Sequence, residues 1–209
     1  MSGVRLASRS PRRRAMLEAA GIAHVVEPAG IDDGMLVPGA VAPTAWVAAL
    51  AYLKARWVVE HGALVACAAS GAAPDPHELV LGADTVCVGP GGRILGQPAS
   101  EDEAAAMLRS FRNAVHPVAS GVALVRRGDR ARRILVDVAD VAWGDLADAA
   151  IDEYVASGGW RGKAGGYNLA DRIEAGWPIA CAGDPDTVMG LPMRRLPRWL
   201  ERAFAEVRA

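Results

Sequence analysis

The sequence predicts an α/β fold built on a mixed sheet with flanking helices. Three observations carry this expectation: short apolar segments alternate with helical ones over the first sixty residues, Leu79–Val88 is an apolar run with β-branched content, and two strand-like segments flank a Gly128-Asp129 turn. Alternation favours parallel pairs and a hairpin is antiparallel, so the two together imply a mixed sheet.

Val4 to Ala7 reads as the end of a strand. Ser10-Pro11 then opens a helix to Ala20, because a serine oxygen accepts from free N–H groups and proline suits the first helical position; Gly21 stops it. His24 to Glu27 is a second short strand, followed by a loop rich in glycine and proline from Pro28 to Pro43. Thr44 is expected to cap a helix to about His61 with Gly62 as its stop, and alanine-rich Ala66 to Pro76, broken by two prolines, reads as an extended surface loop. Leu79–Val88 is a buried strand bounded by a turn at Gly89 to Gly92. Ser100 starts a helix with Glu101, Asp102 and Glu103 in its first turn, as the helix dipole favours. Val118 to Arg126 and Arg133 to Trp143 form the hairpin, Asp145 to Ala156 a helix, Gly158 to Gly166 a glycine-rich loop, and Leu196 to Val207 a closing helix. There is no internal repeat.

A chain of 209 residues, 52% apolar, suffices for a packed core as one large domain or two small lobes. With no linker visible, residues 1–209 are treated as one domain; two lobes, if present, share a core and flank a cleft. A net charge of −1 argues against bulk adhesion to nucleic acid or anionic membrane, so neither is an expected partner. The most apolar stretch, Trp46 to Leu53, is too short to span a bilayer and is followed by Lys54 and Arg56. Cys67, Cys87 and Cys181 are odd in number and lack Cys-x-x-Cys spacing, which points to neither disulfides nor structural zinc. No signal peptide is readable, and the expected location is the cytoplasm.

The chemistry begins at Ser8-Arg9-Ser10-Pro11-Arg12-Arg13-Arg14. Three arginines stand at the positive end of a helix dipole, a disfavoured placement by roughly 0.3–1 kcal/mol. A bound polyphosphate would resolve it through backbone N–H groups, dipole and guanidinium forks together; a solvated basic cluster is the alternative. Asp84 interrupts the apolar strand, where an unpaired carboxylate costs several kcal/mol. It is therefore either a strand-end cap or an acid with a partner, a candidate general base or metal ligand. Lys54 is a surface lysine or a cation aimed into a cleft. Asp32 and Asp33 are solvated loop acids or oxygen ligands. Gly158 to Tyr167, with Arg161, Lys163 and two aromatics, suits a loop that receives a base or phosphate, or is a loop for turn reasons alone. His116 is a structural histidine or a base.

These signals meet in a family. Leu6-Ala7-Ser8-x-Ser10-Pro11-Arg12-Arg13, Leu50-Ala51-x-x-Lys54-Ala55, Gly82-Ala83-Asp84-Thr85-Val86, Gly121-Val122, Lys163-Ala164-Gly165-x-Tyr167 and Gly190-Leu191-Pro192 resemble, in this order, the motifs of the Maf family. The resemblance covers nearly the whole chain. It implies a mixed-sheet α/β fold with two lobes around a central cleft, commonly a homodimer. It also implies a pyrophosphatase, dependent on Mg²⁺ or another divalent cation such as Mn²⁺, that cuts a nucleoside triphosphate, normal or modified, between the α- and β-phosphates. Under it Asp84 is the proton acceptor and, with Asp33, a metal ligand; Arg13 and Thr85 contribute to substrate selection; Ser8, Arg12, Lys54 and Lys163 bind substrate. Gln97 departs from the usual Gly-Lys-Pro lysine, Ala170 from a glutamine tied to base selection, and Ser110 to His116 is longer than usual. These departures leave a second expectation open, a catalytically weakened nucleotide-binding regulator of cell division.

Overall fold

A computed structural model describes residues 3–32, 36–70 and 75–208, with side chains over 3–32, 36–62 and 75–206. One sheet runs through them in the order β2-β1-β3-β5-β6-β7, with a short β4 farther along the edge of β3 that β1 occupies. The strands are β1 (Val4–Leu6), β2 (His24–Val26), β3 (Leu79–Val88), β4 (Ile94–Leu95), β5 (Val115–Arg126), β6 (Arg132–Trp143) and β7 (Ile179–Ala182). β1 pairs in parallel with β2 and β3, and every other pair is antiparallel, giving the mixed sheet the sequence implied.

Helices α1 (Pro11–Ala19), α2 (Pro43–Ser70), α3 (Glu101–Phe111), α4 (Asp148–Ala156), α5 (Leu169–Glu174), α6 (Pro185–Met189) and α7 (Leu196–Arg208) flank it. On one face α2 packs Ala51, Ala55, Val58 and Val59 against Val80, Ala123 and Val125. The other face carries two cores: Leu6, Leu17, Leu81, Leu124 and Leu200 join α1 and α7 to the sheet, while Phe111, Trp143, Tyr154, Trp160 and Tyr167 gather α3 and α4 over its far half.

Five expectations are corrected. Helix α2 starts at Pro43, so Thr44 is not its cap, and it runs past Gly62 to Ser70. Gly62 is there for space, since a Cβ would stand 1.9 Å from the Glu27 carboxylate. The alanine-rich stretch beyond it favours helix, so Ala66 to Ser70 is not the expected loop; residues 71–74 lie outside those described. Strand β5 begins at Val115 rather than Val118, since His116 is held by stacking on Phe111 at 3.9 Å. Helix α4 begins at Asp148 rather than Asp145, the chain staying extended while Leu146 enters the core. The glycine-rich 158–166 segment turns tightly at Ala164–Gly166, where Gly165 has a φ of 73°. No helix among the described residues is long and apolar enough to cross a membrane. The side chains of Cys67 and Asp33 lie outside the described residues.

Candidate active site

The site forms where β1 stops. Its register with β3 ends at Leu6↔Leu81, and β4 joins the same edge of β3 only at Cys87, which leaves Gly82 to Val86 without a strand neighbour there among the described residues. A cavity of about 950 Å³ opens along this gap, beyond the carboxyl end of a parallel strand, where α/β sheets commonly bind ligands. Alternate side chains of a strand point to opposite faces, so Asp84 and Thr85 reach the cavity from the two sides of one exposed edge.

Asp84 is 7% exposed and is not left unpaired: Lys54 Nζ donates to its Oδ1 at 2.7 Å. Two glycines set this distance. A Cβ on Gly82 would lie 2.1 Å from the Ala51 carbonyl oxygen and one on Gly121 2.5 Å from that of Val47, so α2 rests directly on β3 and β5. Gly121 is also the cross-strand partner of Asp84. The close approach brings Lys54, one turn beyond Leu50 and Ala51, over the carboxylate.

The opposite wall is the start of α1. Ser10 caps the helix, accepting from Arg13 N at 3.4 Å, and Ser8 Oγ accepts from Ser10 N at 3.2 Å, as expected for a chain turning from strand into helix. The three arginines then part. Arg13 donates to Thr85 Oγ1 at 3.0 Å, to the Gly190 carbonyl at 3.0 Å and to Ser8 Oγ at 3.3 Å. Arg12 faces the cavity with a buried Nε that has no hydrogen-bond partner among the described residues, and burial pulls its pKa down against the weaker opposing pull of Asp171. Arg14 is exposed and pairs with Glu18 at 3.4 Å.

The third wall is the loop before α5. Lys163 lines the cavity and donates to the Gly159 carbonyl; burial lowers its pKa, and nearby Arg12 and Arg172 push the same way against Asp171. Gln97 also lines the cavity, so the amide that stands for the usual lysine reaches the site. In all, six cationic side chains, those of Arg9, Arg12, Arg13, Lys54, Arg161 and Lys163, face two carboxylates, Asp32 and Asp84, among the described residues. That surplus suits a polyanion.

Every expected site residue within the described side chains, Ser8, Arg12, Arg13, Lys54, Asp84, Thr85 and Lys163, lines this one cavity. Ala170 does not. His116 lies in the core instead, bonded through Nε2 to Tyr167 Oη at 3.1 Å, with burial holding its pKa down at about 4. Sequence reasoning missed Ser120, which bonds Thr85, and gave no role to Gly190 within its Gly190-Leu191-Pro192 motif, although its carbonyl accepts from Arg13. Ser120 carried the same signal as Asp84, a polar residue inside an apolar strand.

For a divalent cation the donor set is sparse: the described residues hold no group of three or more His, Cys, Asp or Glu placed to ligate one. Two carboxylates on the walls of a polyanion cavity nevertheless fit Mg²⁺, which takes one or two carboxylates and draws its other ligands from phosphates and water.

A cleft at the strand ends, a capped helix start bearing arginines, and a lysine-paired aspartate on the central strand together define a protein of the phosphate-handling α/β class. The model of the family described as Maf-like protein matches residues 3–203, and the chain belongs to that family. It is 40% identical over 202 residues to a dTTP/UTP pyrophosphatase of Salinibacter ruber, spanning 97% of this chain and 91% of that protein. Proteins of the same name from Pelotomaculum thermopropionicum and Caulobacter vibrioides are 36% and 38% identical, over 97% and 90% of this chain and 97% and 89% of their own.

Proposed function

We propose that the protein hydrolyses nucleoside triphosphates, dTTP and UTP foremost, to the monophosphate and pyrophosphate. The observation that carries this is the Lys54–Asp84 ion pair at 2.7 Å on the wall of a cavity where Arg9, Arg12, Arg13, Arg161 and Lys163 also lie. The names of the relatives supply the choice of dTTP and UTP.

In this reading the triphosphate lies between α1 and the Lys163 loop. Arg12 supplies a buried Nε donor without a partner among the described residues, and Arg13 is held by Ser8, Thr85 and Gly190 so that little freedom is lost on binding. Asp84 takes a proton from a water whose oxygen forms a bond to the α-phosphorus; the bond from that phosphorus to the bridging oxygen breaks, and pyrophosphate leaves with the electron pair. Lys54 orients the Asp84 carboxylate, while Arg12, Arg13 and Lys163 neutralise the charge growing on the leaving group. Mg²⁺ or Mn²⁺ would be held by Asp84 together with the loop acids, Asp32 on the cavity wall and Asp33 outside the described residues, and would supply further charge neutralisation.

The test is incubation with dTTP, UTP, CTP, ATP and GTP in Mg²⁺ with pyrophosphate as the readout. Release from dTTP and UTP is expected; no pyrophosphate from any of them overturns the proposal. Gln97 on the cavity wall favours one second reading, a nucleotide-binding protein with little turnover. That reading expects saturable dTTP binding without product and a strong gain in turnover in Gln97→Lys.

A further inference from the structure

Ser120 lies on β5 directly opposite Thr85 of β3. It is fully buried and does not line the cavity, so it cannot touch a ligand held there. Its place in a hydrogen-bonded chain nevertheless decides what a cavity residue can do. Ser120 Oγ is 2.7 Å from the Thr187 carbonyl oxygen and 2.6 Å from Thr85 Oγ1, and Thr85 Oγ1 is 3.0 Å from Arg13 Nη2.

Proton counting fixes the direction of each bond. A carbonyl only accepts, so the single Ser120 proton goes to Thr187. The Ser120–Thr85 bond then requires Thr85 to be the donor, and the one Thr85 proton is spent there. What Thr85 Oγ1 turns toward Arg13 is a lone pair, which a guanidinium needs because it has donors and no acceptor. Rotated the other way, the Thr85 hydroxyl would set a donor against a donor, and Arg13 would lose this partner.

We propose that Ser120 is a positioning residue for phosphate binding: by accepting the Thr85 proton it fixes Thr85 as an acceptor and so aims the Arg13 guanidinium into the cavity. The anchor has a second branch to the same short segment of chain, since Arg13 Nε also donates to Gly190 O at 3.0 Å, three residues beyond Thr187. That segment is itself tied down. Thr187 Oγ1 donates to Asp137 Oδ2 at 2.6 Å, and Arg195 donates to Asp137 Oδ1 at 2.9 Å. Gly190 has a φ of 120°, which favours glycine, and a Cβ there would lie 3.0 Å from Arg13 Nε. Arg13 is therefore held at two points whose common base is the 187–190 segment, once directly and once through two hydroxyls.

The inference rests on reading the cavity as a nucleoside triphosphate site, and the experiment separates the two. Ser120→Ala is expected to raise KM for dTTP ~10-fold while kcat falls less than ~3-fold, the size of one charge-assisted hydrogen bond lost from binding. A purely structural role for Ser120 predicts a loss independent of Thr85. The double variant Thr85→Val/Ser120→Ala is instead expected to be no worse in kcat/KM than Thr85→Val alone, because with no hydroxyl at 85 there is nothing left to orient. Ser120→Thr, which keeps the hydroxyl, is expected to restore KM. Losses at the two sites that multiply, or an unchanged KM in Ser120→Ala, overturn the proposal. Should Ser120→Ala not fold, Ser120→Cys, similar in size but a weaker hydrogen-bonding partner, takes its place in the same cycle. Inorganic tripolyphosphate binding, followed by calorimetry, needs no turnover. If the unaltered protein releases no pyrophosphate, the functional reading fails alone, and an unchanged tripolyphosphate affinity in Ser120→Ala overturns the positioning role alone.

Discussion

Two charged networks sit at opposite ends of the same strands and are built on opposite rules. Near the amino end of β3, Arg5 donates to Glu27 at 2.6 Å and to Glu78 at 2.8 Å, while Arg127 donates to Glu78 at 2.8 Å and to the Val59 carbonyl at 2.8 Å. Two cations meet two carboxylates, and the charge closes on itself. At the cavity end, among the described residues, six cations meet two carboxylates, and Arg12 Nε is buried without a partner. A buried donor without a protein partner is one that a polyanion can satisfy, and this imbalance is what the proposed function uses.

The sharpest way to break this contrast is at its centre. Asp84→Asn keeps the shape and loses the proton acceptor, and turnover is expected to fall ~10³-fold, within the usual range for a general base, while calorimetry still detects dTTP binding. Undiminished pyrophosphate release would remove Asp84 from its role.

Acid probes the next largest effect, at a group in neither network. The native pKa of His116 is depressed to about 4 from 6.5, so between those values the unfolded chain binds a proton that the native state does not. The stability that comes from keeping it neutral is fully present above about pH 6.5 and is lost as pH falls toward 4, up to about 3 kcal/mol by linkage. Urea unfolding at pH 7 and pH 5 measures it. His116→Phe, placed against Phe111, is expected to flatten that dependence; an unchanged slope would assign the acid loss to other groups.

The two networks should then respond with opposite signs. Arg12→Met removes an unsatisfied charge, so thermal stability is expected to hold or rise while KM for dTTP increases ~10- to 100-fold, the value of one or two charged hydrogen bonds. Glu78→Gln breaks the closed network and, with its side chain 21% exposed, is expected to cost about 1–2 kcal/mol in urea unfolding with kcat/KM per folded molecule unchanged. If Arg12→Met destabilises as Glu78→Gln does, the distinction between an open and a closed network is lost.

The cavity end was the more legible in sequence, because polar groups there break local rules. Arginines at a helix start and an aspartate in an apolar strand conflict with helix electrostatics and with burial, and such conflicts are visible without coordinates. The closed network gave no such sign, since Arg5, Glu78 and Arg127 look like ordinary surface charges until three segments far apart in the chain meet. Helix α2 shows the reverse failure: Gly62 looked like a stop, but its helix continues and the missing Cβ makes room for Glu27.

The sequence alone therefore determined the element types through most of the chain, the mixed character of the sheet, the capped start of α1 and the residues that needed partners, because each follows from propensity, periodicity or the cost of burying charge. Only the tertiary structure decided which partners they took. Lys54 meets Asp84 because Gly82 and Gly121 let α2 lie against the sheet; Arg12 Nε has no partner among the described residues while Arg13 is held from both sides; and Ser120 lies opposite Thr85 because strand register sets it there. Such pairings depend on distances of a few ångströms between segments far apart in the chain, and no local preference encodes them.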